Sequence, residues 1–437
     1  MTDKQRKLST EAYKGVRDFY PEDMFIQKHI FDLWKKHVEA FGYVEYNASV
    51  LEPSELYKAK SGDEIVNEQT YSFKDRGDRD VTLRPEMTPT LARMVAGRKR
   101  ELGFPLRWYS IPNLFRYEQP QRGRLREHWQ LNVDIIGVES IQAEIEIIQI
   151  AYNLTKAFGL KDADFEIRIN NRMIVNYVLK DVFALSDEQS HVLSKLIDRK
   201  EKMSAEEFKD KVATIFEATP DKAQKFLTLI NSQNFEEYTG HLPQTKEEHE
   251  SLCLIKEVIV GLEALGIRNV RFDQTLMRGF DYYTGTVFEV FDNNPKNRRA
   301  ILGGGRYDEI LGIFGEEKVP FIGFGAGDVV VRDLMETYGT LPTFKPAARL
   351  AICPTDLPFI PYANEIAQKI RQAGISVAVD YTQKKIGDKV KNADKNGIPY
   401  VICVGEEEQK SGKFKIKNLK TREEVSLNEE NIIKSLR

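Results

Sequence analysis

The side chains best suited to chemistry in this 437-residue chain fall into two short stretches. One is Arg278-Gly279-Phe280-Asp281-Tyr282-Tyr283-Thr284-Gly285, a charged turn that leads into Thr286 to Phe291. Val287, Phe288, Val290 and Phe291, interrupted only by Glu289, predict a largely buried strand. Arg278 then stands at a strand entrance beside two aromatic hydroxyls and a glycine that lets backbone approach closely. A fixed planar cation there suits an anion attached to a small planar group; the plainer alternative is a hairpin with a surface arginine. The second stretch, Leu114 to Gly137, has two apolar strand-like ends around Arg122, Gly123, Arg124 and Arg126. Such a hairpin presents guanidinium donors to phosphate oxygens and stabilises the charge that develops when pyrophosphate leaves. A solvated basic hairpin is its plain alternative.

Several elements must position these groups. Pro21 followed by Glu22 and Asp23 predicts a helix start, and Phe25, Ile26, Ile30, Leu33, Trp34, Val38 and Phe41 recur at helical spacing until Gly42. Tyr43 to Leu51 reads as a strand ended by Pro53. Lys60 to Ile65 and Tyr71 to Phe73 lead to a strand from Val81 that gives way at Pro85, and Thr88-Pro89 reads as a helix N-cap followed by proline, presenting Glu86 and Thr88 at a strand end. From 171 to 262 charged runs intersperse helical apolar ones, with no strand-like alternation. Gly303-Gly304-Gly305 permits backbone to lie against a ligand. Gly323-Phe324-Gly325-Ala326-Gly327 links a strand to a helix whose positive end suits phosphate. The latter run also invites a dinucleotide-binding reading, but its spacing is not GxGxxG and no acidic residue closes a second strand about 20 positions on. Beyond a linker between Pro342 and Pro346, the pattern alternates strand and helix as βαβαβ, with Gly412 to Lys417 as an edge strand.

Composition narrows the setting. Net charge is −3, which excludes a globally basic nucleic-acid coat, yet residues 345–437 carry 17 Lys and Arg against 12 Asp and Glu. The C-terminal part is the basic one. Cys253, Cys353 and Cys403 share no CxxC spacing, so no zinc site or disulfide framework is expected and a reducing cytoplasm fits. No run approaches the roughly 18 apolar residues of a membrane span.

In order along the chain these features resemble the histidyl-tRNA synthetases, a class II aminoacyl-tRNA synthetase family. The helix and strand of residues 15 to 51 are similar to motif 1, which implies a dimer interface, the alternative being a helix packed on its own sheet. Leu114 to Gly137 resembles motif 2 almost residue for residue. Arg278 to Phe291 and Ala300 to Asp308 resemble the two histidine-specific motifs. Val319 to Leu334 resembles motif 3. The resemblance implies an α/β chain: a class II catalytic domain with an antiparallel sheet at 1–170 and 263–340, a helical insertion at 171–262 that grips the tRNA acceptor stem, and an anticodon-binding domain at 341–437.

Carried over position by position, the resemblance implies that Arg278 and Arg116 neutralise the α-phosphate of ATP and that Arg124 lies on the phosphates. Glu86, Thr88 and Gln130 hold the α-amino group of histidine, Asp134 and Tyr283 read the two imidazole nitrogens, and Tyr282 is a further histidine-binding residue. His128, Gly304, Gly325 and Gly327 belong to the ATP site. Asp134 replaces a common glutamate and keeps the acceptor. His128 stands where the family usually stacks phenylalanine on adenine, and Val330 stands where an arginine usually covers its other face. This admits either a rebuilt adenine site or a decayed one. The implied activity is ATP-dependent ligation of histidine to tRNA(His), with Mg2+ bridging the phosphates and no dedicated metal ligands, by a cytoplasmic homodimer that does not enter membranes. The rival is a catalytically silent paralogue that binds histidine or tRNA as a regulatory subunit. Such proteins typically lack the terminal domain and degrade the Arg278 stretch, and this chain keeps both.

Overall fold

The apolar run that begins at Phe25 folds into the helix Pro21–Glu39, with Pro21 in its first turn, Glu22 and Asp23 beside the positive end, and Lys36 and His37 in the last turn. It buries Gln27, Ile30, Trp34 and Val38, each about a turn from the next. These apolar side chains share one core with Tyr109, Leu131 and Val133 of the neighbouring sheet and Ile147 and Ile148 of the helix Gln142–Ala157. Each large one contributes about 1.5–3 kcal/mol of burial. The helix therefore packs on its own sheet. The computed structural model describes residues 8–58, 69–200, 203–216, 219–243, 246–277, 282–297 and 299–437, without the side chains of 246–250. Arg278 and the stretch from Lys60 to Ile65 lie outside these residues.

The chain divides into two units, 1–342 and 343–437. In the first, six strands pair antiparallel in the order Leu106–Ser110, Glu127–Ile136, Phe321–Gly327, Ala300–Arg306, Thr286–Asp292 and Phe165–Asn171. Short parallel strands, Val44–Glu45 and Val270–Phe272, flank the two ends, and Asn113–Phe115 pairs with the start of Glu127–Ile136. A three-stranded sheet joins Leu51–Pro53, Asp80–Leu83 and Tyr71–Lys74. Between Phe165–Asn171 and Val270–Phe272 the described elements are all helices, and Phe183, Phe216 and Phe226 cluster there with ring centroids 5.5–5.7 Å apart.

Two local expectations in the first unit fail for identifiable reasons. Tyr43 to Leu51 is not one strand, because Asn47 Oδ1 accepts from the Ala48 amide (2.8 Å) and Ser49 Oγ from the Leu51 amide (3.2 Å), drawing the backbone out of the ladder. Thr88 is the first residue of the helix Thr88–Arg98, whose N-cap is Met87, so the threonine hydroxyl is left for other work.

The second unit is a five-stranded sheet ordered Val377–Val379, Leu350–Pro354, Tyr400–Val404, Lys413–Asn418 and Glu424–Asn428. The first three strands are parallel, joined by the helices Ile360–Gln372 and Ile386–Lys395, and the last two turn antiparallel. Lys413–Asn418 is not an edge. Its Phe414 and Ile416 are buried while Lys413 and Lys415 point to solvent, and Glu424–Asn428 covers its outer side, with Lys417 Nζ 2.6 Å from Glu424.

Candidate active site

Alternation along Glu127–Ile136 places His128, Gln130, Asn132 and Asp134 on one face of the central sheet. At about 3.4 Å per residue, His128 and Asp134 stand ~20 Å apart along the strand. The neighbouring strand faces this row with glycines: Gly323 pairs with Asp134, Gly325 with Asn132 and Gly327 with Gln130. A Cβ on Gly323 would fall 2.1 Å from Asp134 Oδ1, and one on Gly325 would fall 2.8 Å from Gln130 Nε2. Those glycines make room for the carboxylate and the amide. One strand further, Gly303 and Gly305 continue the same surface, opposite Gly325 and Gly323. Gly304 points to the other face, where a Cβ would meet Gly323 O at 2.0 Å and Phe324 Cβ at 2.6 Å. Strand periodicity thus puts its two neighbours on the Asp134 face and Gly304 itself in close packing on the other.

At the Asp134 end the walls are aromatic. The Tyr307 hydroxyl donates a very short hydrogen bond to Asp134 Oδ1, and Tyr307, Tyr282 and Tyr283 form a cluster with centroids 5.2–6.2 Å apart. Burial pushes the Asp134 carboxyl up to about 7, against the Tyr307 donor, which pulls it down. Burial also pushes the hydroxyls of Tyr282, Tyr283 and Tyr307 above their usual range, so all three are neutral donors. Tyr282 donates to Glu86 Oε2 at 3.3 Å and is hydrogen-bonded by the Thr88 side chain. Glu86 is 2% exposed and sits just after Pro85, whose carbonyl accepts from Arg116 Nε at 2.9 Å. A continuous series of contacts therefore links Arg116, Pro85-Glu86, Tyr282, Tyr307 and Asp134. It presents a carboxylate suited to an ammonium group and an acceptor with hydroxyls suited to a ring carrying N–H.

The cationic end is the loop between Asn113–Phe115 and Glu127–Ile136. Arg124 is exposed and 3.2 Å from Glu118, while Arg126 donates to Glu118 O and lies over the Tyr117 ring at 4.1 Å. His128 is held neutral: burial, then the cations Arg116 and Arg17, lower it to about 3. A neutral imidazole keeps its stacking face without repelling the arginines around it.

Two residues that sequence reasoning left unassigned organise this face. Tyr307 is the first; it lay within the Ala300 to Asp308 motif, but its pairing with Asp134 is invisible along the chain. The second is Asp328, the residue after the glycine run, which is fully buried. Its carboxylate accepts from Arg17 Nη2 (2.6 Å), Gln27 Nε2 (2.9 Å) and the Trp129 amide (2.9 Å), tying the first helix, the preceding loop and the central strand to one point. Arg332 pairs with Asp23 at 2.5 Å and so faces the first helix.

Comparison with known proteins agrees with this geometry. Residues 15–327 match the family model described as histidyl-tRNA synthetase, and residues 350–437 match the anticodon binding domain. The histidine–tRNA ligase of Leptospira biflexa is 41% identical over 431 residues, 97% of this chain and 96% of that protein. That of Thermoplasma volcanium is 34% identical, covering 95% of this chain and 96% of its own. The crystal structure of histidyl-tRNA synthetase from Nostoc superposes with a TM-score of 0.81 at 23% identity, covering 98% of this chain and 99% of that one, a likeness of fold. By these matches and by the site they enclose, the chain belongs to the histidyl-tRNA synthetase family.

Proposed function

We propose that the row from Asp134 to His128 binds histidine and ATP end to end, and that the chain, a histidine–tRNA ligase, performs its first step there. The single observation that carries this is the buried Asp134–Tyr307 pair at one end of a glycine-paved face whose other end is the arginine loop. Histidine enters with its ammonium group on Glu86, Thr88 and Gln130 and its imidazole N–H on Asp134, flanked by Tyr282 and Tyr283. Its carboxylate then attacks the α-phosphate of ATP, giving histidyl-adenylate and pyrophosphate. Arg116 and Arg278 take up the charge that builds on the phosphorus oxygens, each well-placed donor contributing about 3 kcal/mol. Arg124 lies on the leaving phosphates. ATP use follows from the family, and Mg2+ would travel with the phosphates of ATP, neutralising their charge, with no dedicated set of protein ligands to hold it.

In the second step the terminal ribose hydroxyl of tRNA(His) attacks the activated carbonyl and AMP leaves. Residues 171–262 would hold the acceptor stem and 341–437 the anticodon, the latter favoured by its positive balance. The chain would act as a cytoplasmic homodimer, a reading supported by the exposed Val44 at the sheet edge and Leu51 close by in sequence. No described helix is long and apolar enough to cross a membrane. The regulatory alternative is not favoured, since the relatives named above match the chain over nearly its whole length.

The test is histidine-dependent exchange of labelled pyrophosphate into ATP, with the other amino acids as competitors and Arg278→Ala as control. Exchange with histidine alone, lost in the variant, is expected. Histidine binding without exchange would return the chain to the silent-binder class.

A further inference from the structure

The tip of the arginine loop is docked on the helix Asp328–Tyr338. Arg122 lies 3.8 Å from Asp333 and donates to Thr337 Oγ1 at 3.2 Å, and the Gly123 amide hydrogen-bonds the Asp333 carboxylate. Val330, Asp333 and Thr337 follow helical spacing, so one face of the helix receives the loop. A Cβ built on Gly123 would lie 3.7 Å from Val330 Cγ2 and 3.3 Å from Arg299 Cδ. Arg299, which leads into the strand Ala300–Arg306, therefore runs beside Val330 at the loop tip.

This is also the His128 end of the face. Leu302 pairs with Ala326 and Gly327 with Gln130, and the Trp129 amide donates to Asp328, so Ala300, the first helical turn and His128 converge at neighbouring strand ends. Resting on the ATP-dependent reading above, we propose that Arg299 supplies the guanidinium that covers the adenine of ATP opposite His128, in place of a group at Val330. The docked loop occupies the flank of the helix at Val330, so a cation reaches this end from the adjacent strand instead. A planar guanidinium over an aromatic base, with a neutral imidazole on its far side, places the adenine between a cation and an uncharged ring.

The experiment measures binding of ATP and of inorganic tripolyphosphate to the full chain, alongside histidine-dependent pyrophosphate exchange. Arg299→Ala is expected to weaken ATP binding about tenfold, within the range of a desolvated cation–π contact, and to leave tripolyphosphate within twofold. Arg299→Lys keeps the charge but not the planar face and is expected to fall between. Equal weakening of both ligands would make Arg299 a phosphate contact, and unchanged ATP affinity would remove it from the site. Either result overturns the proposal. Wild-type protein that binds ATP but fails to exchange would overturn the enzymatic reading instead, leaving the adenine contact to stand on the binding data.

Discussion

Replacing Tyr307 with phenylalanine removes one hydroxyl and tests how the imidazole end works. Asp134 is buried with a carboxyl raised to about 7, and the Tyr307 hydroxyl is what holds it from rising further. A hydrogen bond to a charged group is worth about 1.5–3 kcal/mol, which corresponds to ~1–2 pKa units. In Tyr307→Phe the carboxyl therefore titrates near 8 to 9, and at pH 7 its ionised share falls from about a half to ~1–10%. Only the carboxylate is purely an acceptor, so kcat/KM for histidine in pyrophosphate exchange should fall about 5- to 50-fold at pH 7. The sign follows from the raised pKa: activity rises as pH rises through it, so the variant should recover to within a few-fold of wild type by pH 9. Free histidine titrates near 6.5 and contributes its own limb in both proteins, which an Asp134→Asn control isolates. A loss of the same size at every pH would refute this reasoning, because it would mean that Tyr307 acts through packing rather than through the proton on Asp134.

Asp328→Ala removes the acceptor shared by Arg17, Gln27 and the Trp129 amide. Leaving Arg17 without its partner should lower stability by about 3–5 kcal/mol, measured as the shift in denaturant midpoint at constant m, and a shift below ~1 kcal/mol would contradict the assignment. Gly323→Ala puts a methyl 2.1 Å from Asp134 Oδ1 and 2.4 Å from Val133 O. Displacing the carboxylate by an ångström should cost about a hundredfold in histidine turnover while ATP binding holds, and equal losses for both substrates would point to general strain in the sheet.

Much of the fold was legible because its signals are local. The Pro21 start, the Ile30, Trp34, Val38 spacing and the alternating strands and helices after Pro346 depend on neighbours within a few residues. The strand expected from Tyr43 to Leu51 was lost to two equally local side chains, Asn47 and Ser49, whose competition with the ladder composition alone does not weigh. Lys413 to Lys417 looked like an edge because lysines alternate there; its outer partner Glu424–Asn428 has little apolar content to announce it. At the site, residue types could be read but not directions. Gly304 was singled out from a run of three, and only the register shows that Gly303 and Gly305 lie on the face that carries Asp134 while Gly304 points away from it. Tyr307 with Asp134 and Arg17 with Asp328 are contacts between residues 173 and 311 positions apart, and no periodicity in a single sequence encodes such pairs.

The strand Phe321–Gly327 lies between Glu127–Ile136 and Ala300–Arg306, although it is the last of the six antiparallel strands to be synthesised. Until the ribosome has released it, both of those neighbours present an open edge, and the long-range closure that joins them is of the slow, aggregation-exposed kind. Asp328 follows it directly, so the first helix waits some 300 residues for the carboxylate that anchors Arg17 and Gln27. Nascent chains stalled before residue 321 are therefore the species that most need chaperone cover, even though their own helices and hairpins are already present.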